Sequence, residues 1–369
     1  MAGSNHTCRI AVFPGDGIGR EVIPAALAVL QDLEQRVGGF ELRFEQRHDA
    51  GAAYYAETRM DISGAAFEAA RAADAILLGA IGLPSVRFPD GTEIAPHLKM
   101  RDEFGLYAGV RPVKAFPNTP RRLLDERAAA IDFIVLREST EGLFFSHRRG
   151  EIIDDQEARE TLRITRATSE KLFDVAFRLA RRRKAKGRPG LVTCVDKANV
   201  FRAYAFFRKI FFERAKLHPD IRAETNYVDA QALDLIRRPW DFDVLVMENM
   251  FGDILSDLGG GLVGGMGMAP CAELGDEHAL FQPAHGTAPD IAGQDKANPI
   301  ATLLSAAMML EWLGDRHGVA KLCEAAGHLE GAIEQAFAER RLRPMEFGGD
   351  QGTREATEAV LQVLGERVR

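Results

Sequence analysis

Cysteine is scarce and shows no pairing pattern. Four are scattered, at Cys8, Cys194, Cys271 and Cys323, and no two form C-x-x-C. That excludes a zinc ribbon and a disulfide framework and fits reduced thiols in a cytosol. Positive net charge is also missing, since the formal charge is −7 at pH 7. Nucleic acid and anionic membrane surfaces are therefore not expected partners. One basic stretch, RLARRRKAKGR at 178–188, reads as the solvated end of a helix running into a linker. Long apolar runs are absent too. The longest, IATLLSAAMMLEWL at 300–313, is too short to span a bilayer and reads as a buried helix. The opening MAGSNHTCRI lacks the apolar core of a secretory signal. A true dinucleotide fingerprint is the last absence. PGDGIG at 14–19 lies between a strand and a helix but reads G-x-G-x-G, and Asp49 is too far on to serve as its ribose acid. A tight structural turn is the better reading.

What is present is an ordinary globular composition, 46% apolar and 27% charged over 369 residues. That length suggests two domains or lobes. Short β-rich runs alternate with helical patterns. RIAVFPG, ELRFEQR, DAILLGAIG, DFIVLRE, PGLVTCVD, IRAETNYVD and FDVLVMEN read as strands. Several are apolar on both faces, which predicts a mainly parallel α/β sheet covered by helices. Helices fill the last third: NPIATLLSAAMMLEWLG, roughly 319–339, and TREATEAVLQVLGERV. GGGLVGGMGM at 259–268 is the clearest punctuation and suggests a crossover or hinge.

Several segments suit chemistry. In FGDILSD at 251–257, Asp253 and Asp257 are four apart and share a helix face. Like charges there repel, and a bound Mg²⁺ or Mn²⁺ would reverse that penalty; the plain alternative is a surface pair with Asp253 near a helix N-terminus. Lys197, in CVDKANV, follows a strand end. It suits a general base, although spacing alone favours an exposed lysine. Asp229, in NYVDAQA, fits a ligand or a helix cap. Arg101, Arg111 and Arg137 lie near element edges and together suggest a polycarboxylate held beside a metal. The loop PAHGTAPDIAG at 283–293, with His285, Gly286 and Asp290 and then Asn298, suits a nucleotide whose ribose hydroxyls an acid would bind. RESTEGLFFSH at 137–147 places polar groups at a strand end yet closes on two phenylalanines.

Taken together, NMFGDILSD, GDGIG, RPVKAFP, RESTEG, DKANV and HGTAPDIAG-x₄-ANP resemble the β-decarboxylating dehydrogenases. That family includes the isopropylmalate, isocitrate, homoisocitrate and tartrate/D-malate dehydrogenases, and the similarity runs from about residue 9 to 365. The resemblance implies a two-lobed isopropylmalate/isocitrate dehydrogenase-like α/β fold rather than a Rossmann domain. One lobe would comprise 1–106 plus 264–369, and residues 107–263 would form the substrate, metal and dimerisation lobe. It further implies a homodimer with shared active sites, NAD as cofactor, and Mg²⁺ or Mn²⁺. By motif position, Arg101, Arg111 and Arg137 would grip the malate-like substrate. Asp253 and Asp257 would bind the metal, with Asp229 of the second subunit, whose Lys197 would help remove the hydroxyl proton. His285, Gly286, Asp290 and Asn298 would hold the cofactor, and Asp290 favours NAD.

Three departures from the family pattern stand out. Phe144 occupies the position of the family's tyrosine proton donor, Gln282 replaces a glutamate, and Ser139 replaces a common asparagine. The loss at Phe144 leaves three alternatives: another proton source such as His147, oxidation with impaired decarboxylation, or a regulatory subunit. A metal-dependent hydrolase or lyase is a further class, disfavoured by the HGTAPDIAG loop. Signals for the substituent on the malate core disagree. The segment before Arg101 has Ala95 and His97 where isocitrate enzymes bring serine and asparagine, and Leu98 where homoisocitrate enzymes bring arginine. LKMRDEF is similar to the tartrate/D-malate type.

Overall fold

The structure, a computed structural model, describes residues 6–147 and 149–368. Its strands are β1 His6–Gly15, β2 Phe40–Gln46, β3 Ala75–Ala80, β4 Ala108–Lys114, β5 Asp132–Glu138, β6 Glu151–Ile153, β7 Glu157–Arg159, β8 Leu191–Asp196, β9 Arg222–Tyr227, β10 Val244–Met247, β11 Pro270–Leu274 and β12 Ala279–Pro283. Its helices are α1 Gly19–Val37, α2 Ala52–Thr58, α3 Gly64–Ala72, α4 Pro96–Glu103, α5 Arg166–Ala185, α6 Arg202–Ala215, α7 Val228–Arg237, α8 Asn249–Leu262, α9 Ile300–His317, α10 Ala320–Ala338 and α11 Thr353–Arg367.

Ten strands form one sheet in the order β2-β1-β3-β12-β11-β4-β5-β10-β8-β9, and β6 and β7 pair separately. Within the ten-stranded sheet pairing is parallel except at β12–β11, β11–β4 and β4–β5. The expected mainly parallel α/β sheet is present. Its exceptions lie at the centre, in β4 and β11, which sequence patterning did not single out because Arg111, Pro112 and Lys114 interrupt the first and Pro270 and Glu273 the second. The β5 strand shows why a continuous apolar run predicts burial on both faces. Phe133 and Val135 enter the core under α8, while Ile134 and Leu136 enter the core against α5 and α9. Arg137 continues the phase of Phe133 and Val135 and so emerges on the α8 face. On β11, Ala272 joins the opposite core, so Glu273 faces the same side as Arg137.

Two local readings gain detail. The glycine cluster is not a single hinge: Gly259–Gly261 lie inside α8, and only Gly264 and Gly265 adopt positive φ beyond it. The basic run 178–188 is not simply solvated. Arg183 is largely buried and pairs with Asp132 at 3.0 Å and Asp243 at 2.5 Å. The 14–19 turn is structural, as expected. Asp16 is buried and accepts backbone N–H groups of Ala52 at 2.7 Å, Ala53 at 2.9 Å and Gly82 at 3.0 Å. Among the described residues no helix is long and apolar enough to cross a membrane.

Candidate active site

The centre of the sheet gathers three arginines. Helix α8 begins directly after β10, capped by Glu248, whose side chain accepts from Met250 N at 3.2 Å. Asn249, Asp253, Ser256 and Asp257 then fall at i, i+4, i+7 and i+8, one helical stripe. That stripe faces β4 and β5. Arg137 Nε donates to Asn249 Oδ1 at 2.9 Å, and its Nη1 donates to Asp253 Oδ1. Arg111 Nη1 donates to Ser256 Oγ at 2.7 Å and lies 3.5 Å from Asp253 and 3.8 Å from Asp257. Gly252 makes this approach feasible, because a Cβ there would lie 2.6 Å from Arg137 Cβ.

Arg101 comes from α4 and pairs with Glu273 of β11, Nη2 to Oε1, at 2.7 Å. All three arginines are buried. Burial, then Arg111 and Arg101, push the Arg137 guanidinium down to about 10. Burial opposes the charge of Arg111 as well, but Cys271, Glu273, Asp253 and Asp257 outweigh it and raise its value. Asp257 is raised, by burial first and by Asp253 among its neighbours. Two half-exposed carboxylates four residues apart, oxygen-only and partly matched by arginine, suit a small hard divalent cation.

His97, partly exposed on α4, has no partner for Nδ1. Burial of the ring and then Arg101 and Arg137 push it down to about 3, so it is a neutral wall of the cleft. Of the pair Arg137–Glu138, only the arginine faces the cleft. Glu138 turns back and accepts from Thr140 N, Thr140 Oγ1 and Glu141 N, each at 2.7 Å. Its burial raises it to about 7.

Phe144 lies in a short 3₁₀ turn, Leu143–Ser146, with the Arg137 guanidinium carbon 4.9 Å from its ring centroid. Phe145 stacks instead on Arg149 and Arg163, at 4.8 and 3.8 Å. Phe144 thus lies at the arginine cluster and presents a π face to it, with no proton to give. Tyr204 does not replace it: its hydroxyl is committed to Glu248 at 3.2 Å, and burial, then Glu248, push its pKa well above the usual phenol range.

Lys197 and Asp229 form a second group. They follow β8 and β9, and Lys197 Nζ donates to Asp229 Oδ1 at 2.6 Å. Asp229 lies in the first turn of α7 but is not its cap, which is Tyr227. Asp229 faces Lys197 rather than Asp253 and Asp257; among the described residues the three aspartates form no trio of ligand atoms within 4.8 Å.

The loop after β12 packs on the 14–19 turn, with Ile18 N bonded to Thr287 O at 2.9 Å. His285 Nδ1 contacts Gly286 O at 2.8 Å, while its Nε2 is buried without a partner. Burial lowers the imidazole's value. Gly286 and Asp290 are exposed, and Asn298 is buried and donates to Glu346 Oε2 at 2.9 Å. An unpartnered ring nitrogen, an open glycine and an exposed acid fit the polar edge of a nucleotide. Sequence reading missed Asn249, Ser256, Glu273 and Glu346. The first two are visible in hindsight as members of the Asp253 stripe. Glu273 left one signal, an acid inside the otherwise apolar PCAEL.

The chain is similar to known proteins over nearly its whole length. A sequence model of the isocitrate/isopropylmalate dehydrogenase family matches residues 9–360. The chain is 40% identical over 359 residues to the 3-isopropylmalate/3-methylmalate dehydrogenase of Methanocaldococcus jannaschii, covering 97% of this chain and 99% of that one. It is 38% identical to the 3-isopropylmalate dehydrogenase of Chlorobium chlorochromatii, covering 96% and 99%. The structure superposes on isocitrate dehydrogenase from Methylococcus capsulatus with a TM-score of 0.83 at 32% identity, covering 97% of this chain and 99% of that one.

Proposed function

Because the chain belongs to the isocitrate/isopropylmalate dehydrogenase family, and so to the decarboxylating hydroxyacid dehydrogenases, we propose that it oxidises and decarboxylates a 3-alkylmalate, with isopropylmalate the first candidate, using NAD and Mg²⁺ or Mn²⁺. The observation that carries this reading is the facing of Arg101, Arg111 and Arg137 by the aspartates of α8. The relatives named for isopropylmalate, at about 40% identity over nearly the whole chain, favour an alkyl substituent.

Asp253 and Asp257 would hold the cation, and His285, Gly286, Asp290 and Asn298 the cofactor. When bound, the cation supplies Lewis acidity at the 2-hydroxyl and the nicotinamide accepts hydride. The chain's own groups do the rest. The arginines fix the carboxylate by charge-assisted hydrogen bonds. Lys197, held by Asp229 at rest, would help remove the hydroxyl proton once it has itself given up a proton. Phe144 packs over Arg137 and shields the cleft from water, but the proton for C3 must come from another group.

A homodimer with shared sites is part of this proposal. Its support is that the segments bearing Lys197, Asp229 and Asp253 also expose apolar side chains: Phe201 at 55%, Leu233 at 55% and Ile254 at 60%. Joined in one patch, such side chains would mark an interface. The division into 1–106 plus 264–369 and 107–263 is supported by the strand order, in which β11 and β4 abut where the two sets meet.

The test follows NADH and CO₂ together over isopropylmalate, D-malate, tartrate, isocitrate and homoisocitrate, with Mg²⁺ or Mn²⁺. Stoichiometric NADH and CO₂ from a 3-alkylmalate is the expected result. NADH without CO₂ would support the second reading that Phe144 favours, oxidation with impaired decarboxylation. No NADH from any of the five would overturn the assignment.

A further inference from the structure

The arginine cluster contains an acid of its own. Glu273 is 0% exposed. Its register places it level with Gly109 on β4, and Gly109 is level with Arg137 on β5. All three residues share one face, so Glu273 and Arg137 look across a position with no side chain. A Cβ at Gly109 would lie 2.9 Å from Glu273 Oε2 and 2.7 Å from Ser139 Oγ. The carboxylate therefore occupies space that the sheet leaves for it. Its Oε1 meets Arg101 at 2.7 Å, and its Oε2 has no hydrogen-bond partner. Burial alone would push it toward the neutral acid. Arg101, Arg111 and Arg137 outweigh that and hold it below the usual carboxylate range, which favours the anion.

We propose that Glu273 is a specificity-determining residue: a built-in carboxylate that occupies part of the arginine cluster, so that the cleft admits a dicarboxylate with an uncharged substituent and rejects a tricarboxylate. The inference rests on the reading of this cleft as the site of a substituted malate. Three guanidinium charges face three carboxylates, those of Glu273, Asp253 and Asp257, and cancel. His97 adds no charge, and Lys197 and Asp229 cancel each other. A divalent cation would then leave a surplus of two positive charges, which two substrate carboxylates match. A third carboxylate would meet the buried arginine cluster with no counter-charge left for it, and an unpaired charge taken out of water there is disfavoured. Without Glu273, Arg101 would be the free partner for that third carboxylate.

Binding, independent of turnover, tests this. Thermal shift and calorimetry would compare succinate with tricarballylate (propane-1,2,3-tricarboxylate) on the full chain with Mg²⁺. The wild-type protein should bind succinate more tightly, and tighter tricarballylate binding would overturn the proposal. Glu273→Gln, which keeps the shape, and Glu273→Ser, which opens space at Arg101, should each gain at least tenfold for tricarballylate and less than threefold for succinate. Equal gains for both ligands, or none, would also overturn it. If no hydroxy acid is turned over but the binding order holds, the function proposed above fails while the role of Glu273 stands.

Discussion

Phe144 sets the chemical question at the scale of single residues. It lies against Arg137 with its ring 4.9 Å from the guanidinium carbon, so a hydroxyl added by Phe144→Tyr would extend from the same ring at the edge of the same cluster. A positioned general acid contributes on the order of 10²–10⁴ in rate. CO₂-coupled turnover should therefore rise at least tenfold in this variant; an unchanged rate would show that proton delivery to C3 is not limiting. His97 carries a different prediction. Its value is about 3 in the folded protein against 6.5 ordinarily. Between those values the unfolded chain binds a proton that the native protein refuses. Its contribution to stability is intact above pH 6.5 and is lost as pH falls toward 3. His97→Asn should flatten the acid limb of the stability curve, read as urea midpoints at pH 7 and pH 5. An unaltered difference between the two would refute a neutral His97.

Helix α8 sets the geometry at the scale of elements. Its stripe of Asn249, Asp253, Ser256 and Asp257 engages Arg137 and Arg111 only because Gly252 lets the helix lie on β5. Alanine is a better helix former by about 1 kcal/mol. At this position it would meet Arg137 Cβ and Cγ at 2.6 and 2.7 Å, and overpacking costs about 1–3 kcal/mol. Gly252→Ala should therefore lower the melting temperature and raise KM for the substrate while leaving KM for NAD unchanged. A variant with raised stability and unchanged KM would show that α8 has room to shift. The stripe's spacing was legible in the sequence, because helical periodicity is local. Its partners were not, because β4 and β5 lie more than a hundred residues away along the chain.

The relation between the two clusters is decided at the scale of the whole molecule. Lys197 and Asp229 pair at 2.6 Å, apart from Asp253 and Asp257. A symmetric dimer would join one cluster from each protomer. Two chains that are each inactive, Lys197→Met and Asp253→Asn, should then complement when refolded together. Statistical assortment makes half of the dimers mixed, each with one intact site, so about a quarter of wild-type activity should return. Zero recovery, with mixed dimers verified by mass, would show that each chain builds its site alone.

The sequence by itself determined the α/β alternation, the helical run of the last third, the Asp253–Asp257 spacing and the family resemblance, because each is written in local periodicity or in a contiguous motif. It also exposed the substitution at Phe144. The antiparallel centre at β4 and β11, the pairing of Arg183 with Asp132 and Asp243 and the commitment of Glu138 to its own turn came only from the tertiary structure. So did Glu273. Its sequence neighbours are apolar, and its partners come from α4, β4 and β5. An acid in a strand reads as an exception until the fold sets three arginines around it. Long-range charge pairing has no period along the chain, so only the folded arrangement of the sheet could reveal it.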